Sequence, residues 1–305
     1  MIKYVTVTNE SGESLTMELT GPEKSGLVIQ SISGLGPVNA TINTTDIVTT
    51  DVAVFNSARL QTRNIVMNLI YLGTPKIEDT RLMVYKYFPT KKKVEIVIET
   101  DTRKAKIEGY VESNQVEIFS EQELSQVSII CPDPYFYDMI NKVSISNVGG
   151  IKDIFKFPFS NESLEENLIE FGIYDEIPTF IFNNLGDAEV GYKITLHATG
   201  PVGDISLIDT STGNKMIILS SVIASIFGEE QGIKSGDVIT LNTTKGNKSM
   251  TLLRNGIYYN IIPCLGDYSV WLSAKKGSNG YAVTATYGII NLHTTWETVI
   301  AYEGI

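Results

Sequence analysis

The two histidines, His197 and His293, are the first candidates for chemistry, and each lies in a strand-like alternation of apolar and polar residues. A histidine can serve as a general base or as a metal ligand near neutral pH. Neither lies in an HExxH helix or beside a GxSxG turn, and no Walker loop is present. The glycine-rich 34–37 stretch (Gly-Leu-Gly-Pro) lacks the helix that a phosphate-binding loop requires. The sequence therefore predicts no enzyme, no metal and no cofactor.

Carboxylates offer a second kind of chemistry. Asp133 with Asp138, or Asp204 with Asp209, could in principle form the acid pair of a glycosidase, but closeness in sequence does not fix their separation in space. The spacing of Asp209, Ser211 and Gly213 resembles the opening of a calcium loop. It lacks the remaining acidic ligands and the terminal Glu, so a plain turn is favoured.

Aromatic side chains in the second half offer a third possibility, since they could stack on sugar rings if several shared an exposed face. These residues are Tyr258, Tyr259, Tyr268, Trp271, Tyr281, Tyr287 and Trp296. Core packing accounts for most of them more simply. A carbohydrate-binding or adhesion module with a lectin-like β-sandwich is therefore the alternative function, and a hydrolase is less favoured still.

The charge balance is acidic, with a net charge of −11 over 305 residues. Residues 1–131 carry 13 basic and 16 acidic side chains, and residues 132–305 carry 11 and 19. This balance argues against a surface that binds nucleic-acid phosphates, although the acidic wall of a channel could surround DNA without binding it. The basic run Lys91-Lys92-Lys93 is typical of a solvated corner. Cys131 and Cys264 form no CxxC pattern and are expected to be reduced, structural thiols.

No export or membrane signal is apparent. Residues 1–8 alternate like a strand and lack the apolar core of a signal peptide, so we expect assembly to begin in the cytosol. The longest apolar run, residues 216–227, is interrupted by serines and is shorter than the roughly 20 residues of a membrane-spanning helix.

A hinge is predicted at residues 130–137, Ile-Cys-Pro-Asp-Pro-Tyr-Phe-Tyr. Each proline fixes φ and lacks a ladder donor, so neither a strand nor a helix passes comfortably through it. Because the length favours two domains, we expect an N-terminal domain over 1–135 and a C-terminal domain over 136–305.

Period-two alternation predicts seven short strands in the first domain, and one helix interrupts them. The strands are expected near 4–8, 15–19, 27–32, 38–42, 65–71, 94–98 and 124–130. For the helix, Thr74 is the expected N-cap, Pro75 the first position and Phe88-Pro89 the stop, and its Ile77, Val84 and Phe88 are expected to pack on a sheet. Two charged strands should follow over 104–112 and 115–119, with Gly109 at a bulge or close approach.

The second domain is expected to open with a strand over 141–147, followed by an apolar run at 154–159 and an acidic loop or short helix at 161–176. Strands then recur, with turns at 183–187, 211–214, 244–247 and 276–280. The pattern predicts a mainly β protein of two sandwiches, the first with one α-helix on a sheet.

The order of these motifs resembles the distal tail protein family of long-tailed bacteriophages, the siphovirus-type tail component. The resemblance rests on Gly34-Leu35-Gly36-Pro37, on Phe55 to Arg59 leading to Arg63, and on Cys131-Pro132-Asp133-Pro134-Tyr135. Residues 236–243 and 249–255 and the ending Tyr302-Glu303-Gly304-Ile305 extend it over nearly the whole chain. The segment 216–231 looks longer and more apolar than a hairpin connection, which points to an insertion.

The resemblance implies a structural role in the virion. In that family the first sandwich forms a six-fold ring hub and the second, galectin-like (jelly-roll) sandwich projects outward, so that the ring joins the tail tube to the baseplate and host-recognition proteins. DNA would pass through the channel without specific binding, and a host-surface sugar could contact the second domain. Under this hypothesis the ring-interface or lumen candidates are Lys91, Lys92, Lys93, Lys104 and Lys106.

Overall fold

The computed structural model describes residues 1–47, 51–73, 76–118, 122–146, 150–153, 172–175 and 179–305. The chain is mainly β and divides into two compact units. Unit 1 comprises Met1–Asn141 together with Ala301–Ile305, and unit 2 comprises Lys142–Ile300. The predicted domain boundary lies after residue 135, six residues before this division.

Unit 1 contains nine complete strands, one helix and the first part of a tenth strand within its described residues. They are β1 (Ile2–Thr8), β2 (Ser14–Glu18), β3 (Leu27–Ser33), β4 (Ala40–Asp46), β5 (Ala53–Leu60), β6 (Arg63–Tyr71), α1 (Ile77–Tyr87), β7 (Lys93–Thr100), β8 (Lys104–Glu117), β9 (Leu124–Cys131) and β10 (Phe136–Ser146). The seven strands expected from period-two alternation are present, with boundaries shifted by a few residues.

The core of unit 1 lies inside one continuous antiparallel sheet that folds back on itself in the order β2-β1-β7-β8-β9-β6-β3. Strand β6 shows the physical basis well, since its odd-numbered residues are buried and most of its even-numbered residues are partly exposed. Ile65, Met67 and Leu69 are completely buried. Alternation with one buried face fixes the register of such a strand.

Strand β8 corrects one expectation. The sequence predicts two strands over 104–112 and 115–119, but β8 runs unbroken over 104–117, and residue 119 lies outside the described residues. A register shift between Val111 and Ser113 bends the strand, which pairs first with β7 and then with β9. Gly109 is a close approach, because a Cβ there would lie 2.7 Å from Ile129 Cγ2 and 2.8 Å from Cys131 Sγ.

Helix α1 begins at Ile77 and ends at Tyr87, and the N–H of the C-cap residue Phe88 donates to Val84 O. The proposed cap Thr74 and first residue Pro75 lie outside the described residues. Val84 and Phe88 are buried as expected. Ile77 is exposed, so the expectation that it packs on the sheet is wrong: it starts the first turn, and the buried position there is taken by Thr80.

Strand β10 starts directly after the proline hinge, and the chain passes from unit 1 to unit 2 within it, after Asn141. The return passage occurs in the last strand, after Ile300. We call residues 301–305 the return segment. It belongs to unit 1 although 159 residues of unit 2 (Lys142–Ile300) precede it in the chain.

Unit 2 contains the remaining strands of the described chain and a second helix. They are β11 (Gly150–Asp153), β12 (Gly172–Asp175), β13 (Thr179–Asn184), β14 (Val190–Gly191), β15 (Lys193–Ala198), β16 (Ile205–Asp209), β17 (Lys215–Ile218), α2 (Ser220–Phe227), β18 (Val238–Asn242), β19 (Ser249–Arg254), β20 (Ile257–Asn260), β21 (Ser273–Ala274), β22 (Gly277–Ala285) and β23 (Leu292–Tyr302).

Two antiparallel sheets of unit 2 pack on each other, with orders β23-β15-β18-β19-β20 and β13-β22-β16-β17. An aromatic cluster joins them: Trp296 lies 4.9 Å from Phe180 and 5.2 Å from Tyr192, ring centre to ring centre. Tyr281 lies 5.3 Å from both Trp296 and Tyr192. These rings form the centre of the second sandwich.

In unit 2 the long apolar run forms regular structure, and one of the predicted turns is wrong. Most of the apolar run at 216–227 forms β17 and α2, with Gly228 in the left-handed conformation (φ +63°) ending the helix. The turn predicted at 276–280 is mostly strand, because residues 277–282 of β22 pair with β13. The turns at 211–214 and 244–247 do join paired strands. The 154–159 run and most of the acidic 161–176 stretch lie outside the described residues.

Candidate functional site

Arg63, the first residue of β6, makes four hydrogen bonds through its side chain although it is only 1% exposed. Its Nε donates to Pro134 O at 2.7 Å, and its Nη1 donates to Gly36 O at 2.6 Å and also to Gly34 O. Its Nη2 donates to Glu303 O at 2.6 Å. One guanidinium thus holds the glycine loop, the proline hinge and the return segment. We call this arrangement the Arg63 node.

The described acceptors of the Arg63 node are neutral carbonyls rather than carboxylates. Burial lowers the pKa of Arg63 from its ordinary value, while nearby Cys131 acts in the opposite direction. The guanidinium still stays charged at neutral pH, because arginine does not deprotonate in proteins. Its Cζ lies 4.5 Å from the centre of the Phe136 ring, which adds a cation–π contact. The site is therefore suited to fixing backbone and offers no acid–base chemistry.

The structure brings together at the Arg63 node some of the residues that carry the resemblance, namely those of the glycine loop, the proline hinge and the return segment. Cys131 is the cross-strand partner of Arg63, and burial raises the pKa of its thiol to about 12. Asp133 accepts hydrogen bonds from Tyr135 N at 3.1 Å and from the Tyr137 hydroxyl at 2.6 Å, which fixes the hinge loop. Pro132 and Pro37 lie in the two connecting loops, where a missing N–H donor costs no strand pairing.

Gly34 has a positive φ of 83°, and a Cβ at this position would lie 2.0 Å from Asn64 O. We expect Gly34→Ala to lower the free energy of unfolding by about 2–3 kcal/mol, because left-handed backbone strain adds to a clash with main chain. Urea denaturation checks this. Gly12→Ala is the matched control, since Gly12 has φ 81° and open space around it. Equal losses for the two variants would contradict the clash.

The return segment is held at further points. Arg103 Nη1 donates to Gly304 O at 2.8 Å, and its guanidinium lies 4.1 Å from the centre of the Tyr302 ring. Ile305 N donates to Leu35 O at 3.1 Å. The return segment therefore contacts the glycine loop and Arg103, the residue directly before β8. All of these contacts lie within unit 1.

Asp138 anchors the return segment through the Tyr302 hydroxyl, which donates to its Oδ2 at 2.6 Å. The carboxylate is buried and also accepts from Ile140 N at 2.6 Å, Asn141 N at 2.8 Å and Asn141 Nδ2 at 3.1 Å. Burial acts to raise the pKa of Asp138, but the hydrogen bonds from Tyr302 and Asn141 outweigh it and hold the pKa below its ordinary 3.8.

A depressed folded-state pKa makes Asp138 stabilising above its unfolded-state value, and this contribution is lost as pH falls through the folded value. We expect Asp138→Asn to destabilise the protein at pH 7 and the difference from wild type to shrink below about pH 4. Denaturation series from pH 7 to pH 2.5 measure this. Asp267→Asn, at an exposed loop position, is the control. A difference that stays constant with pH would refute the assignment.

A hairpin arm formed by β4 and β5 leaves the Arg63 node, and these two strands pair only with each other in the described chain. Ile42 pairs with Ala58 and Thr44 with Phe55, so these side chains share one face of the arm with Ala53. The opposite face is mostly polar, with Asn43 Nδ2 donating to Ser57 Oγ at 3.0 Å, although Val54 also lies on it and Asp46 lies opposite Ala53 on the first face. Ile42 is 62% exposed and Phe55 63% exposed. The arm is amphipathic, and its apolar face meets solvent.

The five candidate lysines lie apart from the Arg63 node, on β7, β8 and the corner before β7. Three of them pair across the strands: Lys93 with Glu108 at 2.7 Å, Lys104 with Glu99 at 2.9 Å and Lys106 with Glu95 at 2.8 Å. Lys92 pairs with Glu10 at 2.9 Å. Lys91 has φ 67° and no ion pair within the described residues. Their interface or lumen role stays a prediction.

The carboxylates Asp204 and Asp209, considered above as candidates for chemistry, have structural roles. Asp209 accepts from Ser211 N at 2.8 Å and from the Thr212 hydroxyl at 2.7 Å, so the turn interpretation is confirmed. Asp204 accepts from Ser220 N at 2.7 Å. Among the described residues no group of three or more His, Cys, Asp or Glu could hold a metal ion.

The two histidines and the aromatic residues named in the sequence analysis divide between exposed positions and the core. His197 and His293 stand opposite each other in the β15–β23 register, on an exposed face. Tyr281 and Trp296 belong to the core, whereas Tyr258, Tyr268 and Tyr287 are exposed. Tyr259 packs against Phe227 of α2, and Lys248 lies over the Trp271 ring. Both cysteines are free and buried.

The fold is one that phage tail-hub structures share. The chain is similar over 98% of its length to 99% of the SPP1 Dit protein, described as a hub adsorption apparatus in phages that infect Gram-positive bacteria, with a TM-score of 0.63 and 14% identity. It is also similar over its whole length to a chain of the phage P2 baseplate in its activated conformation with calcium, with a TM-score of 0.50 and 13% identity. The expected resemblance is confirmed at the level of the fold.

No protein-family model and no curated protein sequence matches this chain. Within the described residues, none of the helices has the length and apolarity needed to cross a membrane.

Proposed function

We propose that this protein is a structural component of a phage tail tip. Its unit 1 would assemble into a ring, hexameric in the favoured form, that joins the tail tube to the baseplate and host-recognition proteins. The observation that carries the proposal is the amphipathic arm: none of the described residues covers its apolar face, and the fold is shared end to end with a phage hub protein.

A closed ring needs a heterologous contact, in which one surface of each copy meets a different surface of the next. The arm supplies one such surface, because an isolated hairpin is marginally stable in water and a partner would cover its apolar side. Residues 1–131, which form most of unit 1, carry 13 basic and 16 acidic side chains, and this acidic excess suits a channel through which DNA passes without binding to the wall. In this proposal the protein assembles in the host cytoplasm and remains in the virion, where unit 2 faces outward.

Light-scattering mass after size exclusion, with negative-stain images of the same fraction, tests the ring. One chain is 33.6 kDa, so six copies give roughly 200 kDa. We expect rings with a central hole, either from the protein alone or when the tail tube protein is added as a template. A monomer under both conditions would overturn the ring.

Sugar binding by unit 2 is a second candidate, favoured by one residue. Tyr268 is 99% exposed and has φ 62°, a backbone conformation that non-glycine residues adopt at a cost of about 1 kcal/mol or more. A ring held fully in solvent is suited to stacking on a saccharide. Host cell-wall saccharides should raise the Tm of the protein and not that of Tyr268→Ser. Equal shifts would exclude this residue.

A further inference from the structure

The two histidines of the chain face each other on the surface of unit 2. His197 lies on β15 and His293 on β23, at directly opposite positions of the antiparallel register. Both side chains are exposed, whereas the residues on either side of them along each strand are buried. The 305 residues contain no other histidine. Every imidazole of the protein therefore belongs to one cross-strand pair.

The backbone hydrogen bonds set the spacing of this pair. Thr199 N donates to Asn291 O at 2.8 Å, which continues the same register two residues beyond the histidines. Bonded and non-bonded pairs alternate along an antiparallel ladder, so His197 and His293 also form a hydrogen-bonded pair, with Cα atoms about 5.5 Å apart. Their side chains leave the same face of the sheet.

A second cross-strand pair shows that opposite side chains on this face reach each other. Lys193 Nζ lies 3.3 Å from Glu297 Oε2, four residues along each strand from the histidines. A step of four residues keeps a strand side chain on the same face. Two imidazoles at equivalent positions can therefore direct one ring nitrogen each to a common ion, at metal–nitrogen distances of about 2.0–2.1 Å.

The neighbours of the histidines on this face are uncharged. Thr195 and Thr295 separate them from the ion pair, and Val238 lies opposite His197 on the next strand. These three side chains do not repel a cation, and the protein as a whole carries a net charge of −11. Imidazole suits Zn²⁺, Ni²⁺ and Cu²⁺, whereas Ca²⁺ and Mg²⁺ prefer oxygen ligands. The chemistry of the pair therefore selects a transition metal ion.

We infer that His197 and His293 together chelate one divalent transition metal ion, of the class Zn²⁺, Ni²⁺ or Cu²⁺, on the surface of unit 2. Two protein ligands leave the remaining positions of the ion to water, so the site is open to solution. The ion joins β15 to β23, the strand through which the chain leaves unit 2. No local motif marks the site in the sequence, because its two ligands lie far apart in the chain.

Isothermal titration calorimetry with Ni²⁺ tests the chelation on the full-length protein, purified without a polyhistidine tag. The titration is done at about pH 7.5, because metal ligands must be deprotonated. We expect one ion per chain. His197→Asn and His293→Asn should each weaken binding about a hundred-fold, because each leaves a single imidazole. Thr295→Asn introduces the same residue beside the pair and should bind as wild type does. All three positions are at the surface, so all three variants should fold.

Two further measurements separate this chelate from other metal binding. Electron paramagnetic resonance of the Cu²⁺-loaded protein should show two coordinated nitrogens in wild type and one in each histidine variant. Light scattering should show no change of mass on adding the metal, since both ligands belong to one chain. Equal affinity in wild type and the histidine variants would overturn the chelate. A metal-dependent doubling of mass would also overturn it, because the ion would then bridge two copies.

Discussion

Replacing Arg63 with methionine is expected to lower the free energy of unfolding of unit 1 by about 3–5 kcal/mol. Methionine keeps the length and apolar contact beside Phe136 but removes every donor. The carbonyls of Gly34, Gly36, Pro134 and Glu303 would then lose a charged partner inside the protein. Each buried acceptor left without a hydrogen bond is costly, and these losses occur together.

Urea denaturation gives the stability loss, and hydrogen exchange locates it. We expect faster exchange at β6 and in the return segment, because the node joins them. Arg59→Met is the matched control: Arg59 is exposed on the arm four residues earlier and should change stability by less than about 0.5 kcal/mol. A loss below about 1 kcal/mol for Arg63→Met would show that the node contributes little.

The second large effect is expected at Arg254, the buried cation of unit 2. Its Nε donates to Asp237 Oδ1 at 2.9 Å, its Nη2 donates to Asp237 Oδ2 at 2.5 Å and to Gly232 O, and its Nη1 donates to Glu229 at 2.9 Å. Asp237 is 3% exposed. The hydrogen bond with Asp237 raises the pKa of Arg254 and is the larger effect, with burial opposing it.

Arg254→Met should lower the free energy of unfolding of unit 2 by about 3–5 kcal/mol, because it leaves the Asp237 carboxylate buried without its cation. Adding Asp237→Asn should recover part of this loss, and the double-mutant cycle gives the coupling energy. Lys215→Met, at an exposed position on β17, is the control. Additive losses would contradict a coupled pair.

The same arginine explains why α2 could not be predicted from the sequence. Its guanidinium lies 4.6 Å from the Phe227 ring, and Phe227 packs edge-on against Tyr259. The helix has eight residues, no side-chain cap at Leu219 and serines that indicate a loop. Its stability comes from tertiary contacts, which leave no local pattern.

Strands with one buried face were predictable, as β6 demonstrates, because burial imposes period two on the residue types. Strand β5 was not recognised as a strand, since it is exposed on both faces. The two parts expected for β8 were separated by Ser113 and Asn114, which local propensity assigns to a turn. Pairing with β9 overrides that propensity.

The residues of the motifs could be identified from the sequence, but their convergence on Arg63 could not be predicted from it. Gly34 and Pro134 read as local turn and hinge signals, and nothing near Arg63 indicates a bond to Glu303. Such contacts join positions far apart in the chain, where only the folded topology brings the groups together. The fold class was therefore accessible from pattern, and the node required the structure.

The return segment also sets an order of events during synthesis. Glu303 emerges from the ribosome 240 residues after Arg63, which at typical elongation rates is roughly 12–48 s later. Until then the Arg63 guanidinium and the Asp138 carboxylate lack the partners that the return segment supplies. Unit 1 is therefore synthesised first but completed last. Chains whose translation stops within unit 2 lack the return segment and carry a destabilised unit 1.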